Sequence, residues 1–237
     1  MNPSSETSAA LVFGANGALG GEIVAAMDRA GFSVTAAVRT MTDCPRASNT
    51  LILGNDPINS LRQLDAVRFS AVVWAQGANL NDDVESFVTD TFDGLLDANL
   101  VYVMETMSFL VSNSFVVDGA RFCVLSSIWQ HLSRRHKLSY TVTKAALGGL
   151  VRAASADLAS RQILINAVLP GVIDTPMTRS VLTAEQVQGI AEATGFGRLA
   201  TAVDVAEAVT FLCSNKNRAI TGQSLTVDLG FGHVRKI

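Results

Sequence analysis

Seven short apolar runs, none of them polar at alternate positions, divide this chain at regular intervals: Ala9–Phe13, Ser33–Val38, 50–53, 71–75, 121–125, 163–168 and Ser224–Val227. Runs of this kind, rich in Val, Leu and Ile, suit strands buried on both faces, as in a parallel sheet sandwiched between helices. Helical apolar spacing fills the intervals at 19–30, 61–67, 93–112, 140–160, Ala184–Ala193 and 203–213. That alternation predicts an α/β fold built on a doubly wound parallel sheet, with one domain over 9–237 behind a disordered tail at 1–8. The stretch 39–49, with its Thr, Asp, Pro, Ser and Asn, reads as loop, so the helix expected between the second and third strands is mostly missing.

Composition narrows the function classes. A net charge of -3 over 237 residues provides no basic field for nucleic acid. No apolar run reads as long enough to span a bilayer, and the first residues lack the basic start and apolar stretch of a signal peptide. Cys44, Cys123 and Cys213 are far apart and show no ligand spacing, so no metal site is expected and a reducing, cytoplasmic setting follows. Hydrophobic residues make up 49% and charged residues 16%, which leaves apolar surface for either a large core or an interface between copies.

The first strand runs straight into Gly14-Ala15-Asn16-Gly17-Ala18-Leu19-Gly20, which opens the first helix. Gly14 suits a tight turn, Gly17 a close backbone approach to a pyrophosphate, and Gly20 close helix-to-strand packing. Phosphates would then sit on free N–H groups at the helix start. The alternative is an ordinary βα turn; its place after the first strand favours the phosphate reading. No carboxylate stands at the end of the second strand to hold ribose hydroxyls, and Arg39 stands there instead. A guanidinium pairs with phosphate, so the expected cofactor is NADP rather than NAD, with a solvated surface arginine as the bland alternative.

Tyr140 and Lys144 share a helix face at i and i+4. A nearby ammonium is expected to lower the phenol pKa from its reference near 10, making Tyr140 a proton donor or acceptor. Ser127, thirteen residues earlier and just past a strand, would lie at the carboxyl edge where ligands bind, positioned to hold a substrate oxygen.

These features together resemble the short-chain dehydrogenase/reductases over nearly the whole length. The matching features are the turn Gly14–Gly20, Asn99, Ser127, Tyr140 with Lys144, Pro170-Gly171 followed by Thr175, and 220–223 with Val227-Asp228. Gly197-Arg198 before Asp204-Val205-Ala206 is similar to the β-ketoacyl-carrier-protein reductase-like group. The resemblance implies a Rossmann fold and hydride transfer between NADP(H) and a small carbonyl or alcohol substrate. It implies that Asn99, Ser127, Tyr140 and Lys144 are catalytic, Asn99 holding a water in a proton relay. Cofactor contacts would come from Gly14, Asn16, Gly17, Ala18, Leu19, Gly20, Arg39, Ala75, Gly77, Asn99, Tyr140, Lys144, Pro170, Gly171, Val172, Ile173 and Thr175. It also implies a homo-oligomer, a tetramer with paired long helices. Departures from the family pattern are Ala18 at a usual glycine of the turn, Phe13 before it, and Trp74-Ala75-Gln76-Gly77 where Asn-Asn-Ala-Gly is usual. A dinucleotide-binding regulatory protein without turnover is the alternative.

Arg134-Arg135-His136-Lys137 reads either as a solvated face or as an anion site at the substrate mouth. Trp129 is a packing residue or a pocket wall, and Met177, Val181 and Phe196 would line a substrate lid over 175–197. His131, His136 and His233 show no carboxylate partner in sequence.

Overall fold

A computed structural model of the chain describes residues 8–42, 44–64, 67–175, 178–179 and 182–234. The strands in chain order are β1 (Ala9–Phe13), β2 (Ser33–Val38), β3 (Asn49–Ile52), β4 (Phe69–Trp74), β5 (Val116–Leu125), β6 (Leu164–Pro170), β7 (Ile173–Asp174), β8 (Ala200–Thr201) and β9 (Ser224–Val227). Seven of them form one parallel sheet in the order β3-β2-β1-β4-β5-β6-β9, while β7 and β8 pair separately. The unbroken apolar runs follow from that arrangement: in β1, Ala10 and Val12 enter one core layer and Leu11 and Phe13 the other. The first layer is closed by α1 (Ala18–Arg29) and by Val205, Ala206, Val209 and Leu212 of the last helix. The second is closed by Val103, Met107 and Leu110, and by Leu147 and Val151.

The remaining helices are α2 (Pro57–Leu61), α3 (Thr89–Leu96), α4 (Tyr102–Ser112), α5 (Leu138–Asp157), α6 (Ala184–Ala193) and α7 (Ala202–Cys213). The expected helix at 61–67 lies earlier, at Pro57–Leu61. Asp56 caps it by accepting from the Asn59 N–H at 2.9 Å, and Pro57 supplies the preset backbone of a first helical turn. The helix expected over 93–112 begins at Thr89 and changes register through a π-helical segment at Asp97–Val101. That helix, Thr89–Ser112, is long and apolar enough by length and composition to cross a membrane, which corrects the reading that no such run exists. Here its residues Val103, Met107 and Leu110 pack on the sheet. Between β2 and β3 the described residues are loop, as 39–49 suggested. The tail at 1–7 lies outside the described residues.

Strand order reverses between β1 and β4: β1 leads to β2 and β3 on one side, and the chain returns to β4 on the other. In open parallel sheets such a switch point leaves a crevice at the carboxyl ends of the strands. Three segments converge there: the turn after β1, the loop after β4, and the π-helical segment.

Candidate active site

The turn after β1 is held by its own backbone. Gly14, at φ +70°, donates to Ala37 O at 3.0 Å, and Gly17 N donates back to Gly14 O at 3.0 Å. A Cβ on Gly14 would lie 2.6 Å from Gln76 N, and one on Gly20 would lie 2.1 Å from Gly14 O. Those two glycines let three backbone segments pack against each other. A Cβ on Gly17 would meet only Gly14 O at 3.3 Å, which leaves Gly17 as the open member. Asn16, Gly17 and Ala18 are exposed and Leu19 half-buried. Among the described residues no side chain caps α1, whereas threonine capping boxes close α6 and α7. The first N–H groups of α1 are therefore free to take an anion, and a pyrophosphate fits that geometry.

Beyond this turn lies the end of β2. Arg39 is exposed and forms no ion pair with a described residue; its backbone carbonyl accepts from Gly54 N at 3.1 Å. Its charge is felt by Tyr102, whose phenol burial pushes well above its ordinary range. Tyr102 sits edge-on to Phe13, which stacks on Trp74 at 5.8 Å. Phe13 before the glycine turn is thus a core residue, bracing the ends of β1 and β4.

At the other end of the crevice, Asn99, Ser127, Tyr140 and Lys144 come together from three elements. Asn99, in the π-helical segment, is 1% exposed. Its Oδ1 accepts from Ala78 N at 2.7 Å, and its Nδ2 donates to Ala78 O and Thr143 Oγ1, both at 3.1 Å. The amide therefore ties the loop after β4 to α5, with both Nδ2 hydrogens used and one Oδ1 lone pair remaining. A π-helical turn breaks the normal i→i−4 ladder, a feature common at functional sites. Ser127 follows β5, its Oγ accepting from Trp129 N at 3.4 Å, and its hydroxyl acts on the nearby Tyr140 phenol to lower its pKa. Lys144 Nζ donates to Leu125 O at 3.3 Å and lies 5.6 Å from the Tyr140 ring centre. A Cβ on Gly77 would touch both Asn99 Oδ1 and Lys144 Nζ, so this glycine keeps the loop close to the centre.

Electrostatics correct one expectation. Burial pushes the Tyr140 phenol above its ordinary value, and the Ser127 hydroxyl offsets this only in part. Burial brings Lys144 down to about 8.

The amino end of α5 is fastened to the same loop. Asp82, 6% exposed, accepts from Ser139 N at 3.0 Å and from the Ser139 hydroxyl, and its carbonyl accepts from Leu138 N at 3.2 Å. Lys137 Nζ donates to Asn79 Oδ1 at 2.6 Å and Leu80 O at 3.3 Å, and stands 5.2 Å from the Tyr140 ring centre. Burial, and then Arg134, bring the Lys137 pKa down.

The sequence of residues 53–232 matches the family model described as enoyl-(acyl carrier protein) reductase. The chain belongs to the short-chain dehydrogenase/reductase family. Glucose 1-dehydrogenase of Gluconobacter oxydans is 31% identical over 159 residues, which is 65% of this chain and 59% of that protein. The 3-oxoacyl-(acyl carrier protein) reductase FabG of Salmonella typhimurium is 31% identical over 141 residues, 60% of this chain and 57% of that one. The match thus spans under two thirds of these relatives' own lengths. A solved gluconate 5-dehydrogenase from Burkholderia cenocepacia, in complex with NADP and tartrate, shares the fold with a TM-score of 0.87. It is 19% identical, and the likeness covers 96% of each chain.

In this short-chain dehydrogenase/reductase the glycine turn lies outside the matched stretch, in keeping with Ala18 at a usual glycine. The expected cofactor residues are spread along the crevice. Gly14 and Gly20 serve internal packing, and Ala75 joins the first core layer while its N–H donates to Phe13 O at 3.0 Å. Gly171 is required by Asp228, whose Cβ would be 2.7 Å from an added Cβ. Pro170 ends β6, Val172 is half-buried, and Ile173 pairs with Ala200. Thr175 Oγ1 accepts from Thr178 N at 3.2 Å.

Met177 and Val181 lie outside the described residues, and Phe196 is exposed. The basic cluster is split: Lys137 turns inward, His136 pairs with Asp83 at 2.9 Å, and Arg134 stands over Trp129. The carboxylate partner of His136 comes from 53 residues earlier in the chain. Asp82, Tyr102 and Gln76 were missed as site residues, and Lys137 was read only as part of the basic cluster. Lys137, three residues before Tyr140, carried the one usable signal.

Proposed function

We propose that this chain is an NADP(H)-dependent oxidoreductase that interconverts a small carbonyl compound and its alcohol, with Tyr140 as the acid/base. The observation that carries this reading is the meeting of Ser127, Tyr140, Lys144 and Asn99 beside the free start of α1. The bound dinucleotide would supply or accept the hydride. Ser127 holds the substrate oxygen while Tyr140 gives it a proton in reduction and takes one in oxidation. Lys144 places a positive charge against the buried ring, which favours the phenolate once the proton has left. Asn99 fixes the loop after β4 against α5, so that Gly77 can pass close to Lys144.

NADP(H) rather than NAD(H) rests on Arg39, and the NADP complex of the gluconate 5-dehydrogenase is in keeping with it. A cytoplasmic setting suits the buried thiols of Cys123 and Cys213. A homotetramer would cover the helix Thr89–Ser112, of whose apolar window only 33% is buried within one chain. The test of the function is Tyr140→Phe, assayed with a panel of ketones and alcohols. Turnover should fall by about 10²-fold or more with NADPH affinity retained, because a positioned acid/base contributes on that order. Residual activity near wild type would remove Tyr140 from the reaction. Absence of turnover in wild type, with binding intact, would favour the regulatory alternative.

A further inference from the structure

Lys137 is a buried cation that the reaction as drawn above does not use. It is 4% exposed, whereas Arg134, Arg135 and His136 just before it stay in solvent. Its Nζ donates to Asn79 Oδ1 at 2.6 Å and to Leu80 O at 3.3 Å, both neutral acceptors. Among the described residues no carboxylate pairs with it. Lysines are rarely buried without such a partner, because neutral acceptors replace only part of the lost hydration. A neutral donor at residue 137 would hold Asn79 and Leu80 at a lower cost of burial. The charge itself therefore calls for a use.

The ring it faces supplies one. Residues 137, 140 and 144 recur at i, i+3 and i+7 from the start of α5, which sets them along one helix face. Lys137 Nζ stands 5.2 Å from the Tyr140 ring centre, and Lys144 Nζ stands 5.6 Å from it. We propose that Lys137 is a second cationic positioning residue that acts through Tyr140: the loop after β4 holds its ammonium against the phenol ring, so that two buried charges rather than one favour the phenolate. The inference rests on the acid/base reading of Tyr140 and adds to it a residue outside the expected catalytic set. The groups facing this cluster come from several elements: Ser127 after β5, Asp82 from the loop after β4, Arg134 ahead of α5, and Lys144 on α5 itself. The His136–Asp83 pair lies on the exposed rim. Burial first, and then Arg134, oppose the charged form of Lys137, and Asp82 favours it. With the lysine brought down and the phenol pushed up, the ammonium acts most strongly at the onset of phenol ionisation, before it gives up its own proton.

The chain has two tyrosines, Tyr102 and Tyr140, so in a Tyr102→Phe background tyrosinate absorbance reports Tyr140 alone, with no substrate needed. That protein and its Lys137 variants are titrated from neutral to alkaline pH, with circular dichroism marking the range in which the fold holds. Loss of a positive charge at this distance raises the phenol pKa, so in Lys137→Met the onset of tyrosinate should move up by about 1 pH unit. Lys137→Gln keeps a donor for Asn79 and Leu80 without the charge and should move in the same way. Lys137→Arg keeps the charge and should stay near the parent. With a ketone and alcohol panel, the rising limb of kcat/KM for oxidation should move up in both neutral variants. An unmoved onset in Lys137→Met and Lys137→Gln overturns the inference. A parent-like onset in Lys137→Gln beside a shifted Lys137→Met marks the lysine as a fastening of the loop and overturns it too, as does an equal shift in Lys137→Arg. If Tyr140→Phe turns over ketones like wild type, the acid/base reading falls, and the part of Lys137 in turnover falls with it. If Tyr140→Phe is inactive and the onset stays put in the neutral variants, the Lys137 assignment alone fails.

Discussion

Asp82→Ala should unfasten the catalytic helix from the loop after β4. The carboxylate accepts from Ser139 N at 3.0 Å and from the Ser139 hydroxyl, one residue before Tyr140. It thus acts as a cap supplied from 57 residues away, since the residue at the helix start, Lys137, makes no side-chain cap bond. Hydrogen bonds to a charged group contribute about 1.5–3 kcal/mol each, and buried N–H and O–H groups left behind cost more than the bonds gave. A net loss of about 3 kcal/mol is expected, with water entering the gap to recover the rest. At roughly 2–4 °C per kcal/mol for a chain of this size, that is a fall of about 6–12 °C in Tm. Ser139→Ala removes the hydroxyl partner alone and should cost about 1–2 kcal/mol. In the double variant the losses should fall short of additive by about 1 kcal/mol, because the two groups share one interaction. Thermal and urea unfolding of the four proteins read this directly. Additive losses, or a Tm for Asp82→Ala within 1 °C of wild type, would refute the role of the carboxylate as the fastening of α5.

Other outcomes follow from single groups. Arg39→Ala should weaken NADPH by about tenfold and NADH little, read by calorimetry, since one charged contact to a phosphate is removed; a wild-type preference for NADH would overturn the NADP assignment. Lys144→Met should stop turnover and yet stabilise the ligand-free chain at pH 7 by up to about 3 kcal/mol, because burial depresses the ammonium to about 8. The unfolded chain holds that proton up to about pH 10.4, so between about pH 8 and that value unfolding takes up a proton and wild-type stability gains as pH rises. The gap between wild type and Lys144→Met should therefore close across that window, and a gap independent of pH would contradict the burial cost. Light scattering should give a particle of four times the 25.0 kDa chain, and a monomer at micromolar concentration would leave the face of Thr89–Ser112 without its proposed cover.

What the sequence disclosed depended on how locally each feature is encoded. The parallel sheet was legible because burial on both faces removes polar residues from every strand position, as in β1, where all but Ala9 are buried. Tyr140 and Lys144 were legible because helix geometry converts four residues of spacing into one face. The cap at α2 was also written locally, in Asp56-Pro57, but apolar spacing further along drew the expected helix to 61–67.

The contacts that organise the site are another matter. Asp82 meets Ser139, Asn99 meets Ala78 and Thr143, and Gln76 lies against Gly14, each across tens of residues that only the closed sheet brings together. The phenol pKa was misjudged for the same reason: spacing shows that a lysine is near a tyrosine, whereas burial, which decides the direction here, belongs to the whole fold. In this chain the reacting groups can be read from short motifs. Their positioning is shared among loop residues, and the loop after β4, from Gln76 to Asp83, touches the glycine turn, Asn99 and the start of α5 within eight positions. A substitution in that loop should therefore perturb dinucleotide binding and Tyr140 together, a coupling that no single motif in the sequence announces.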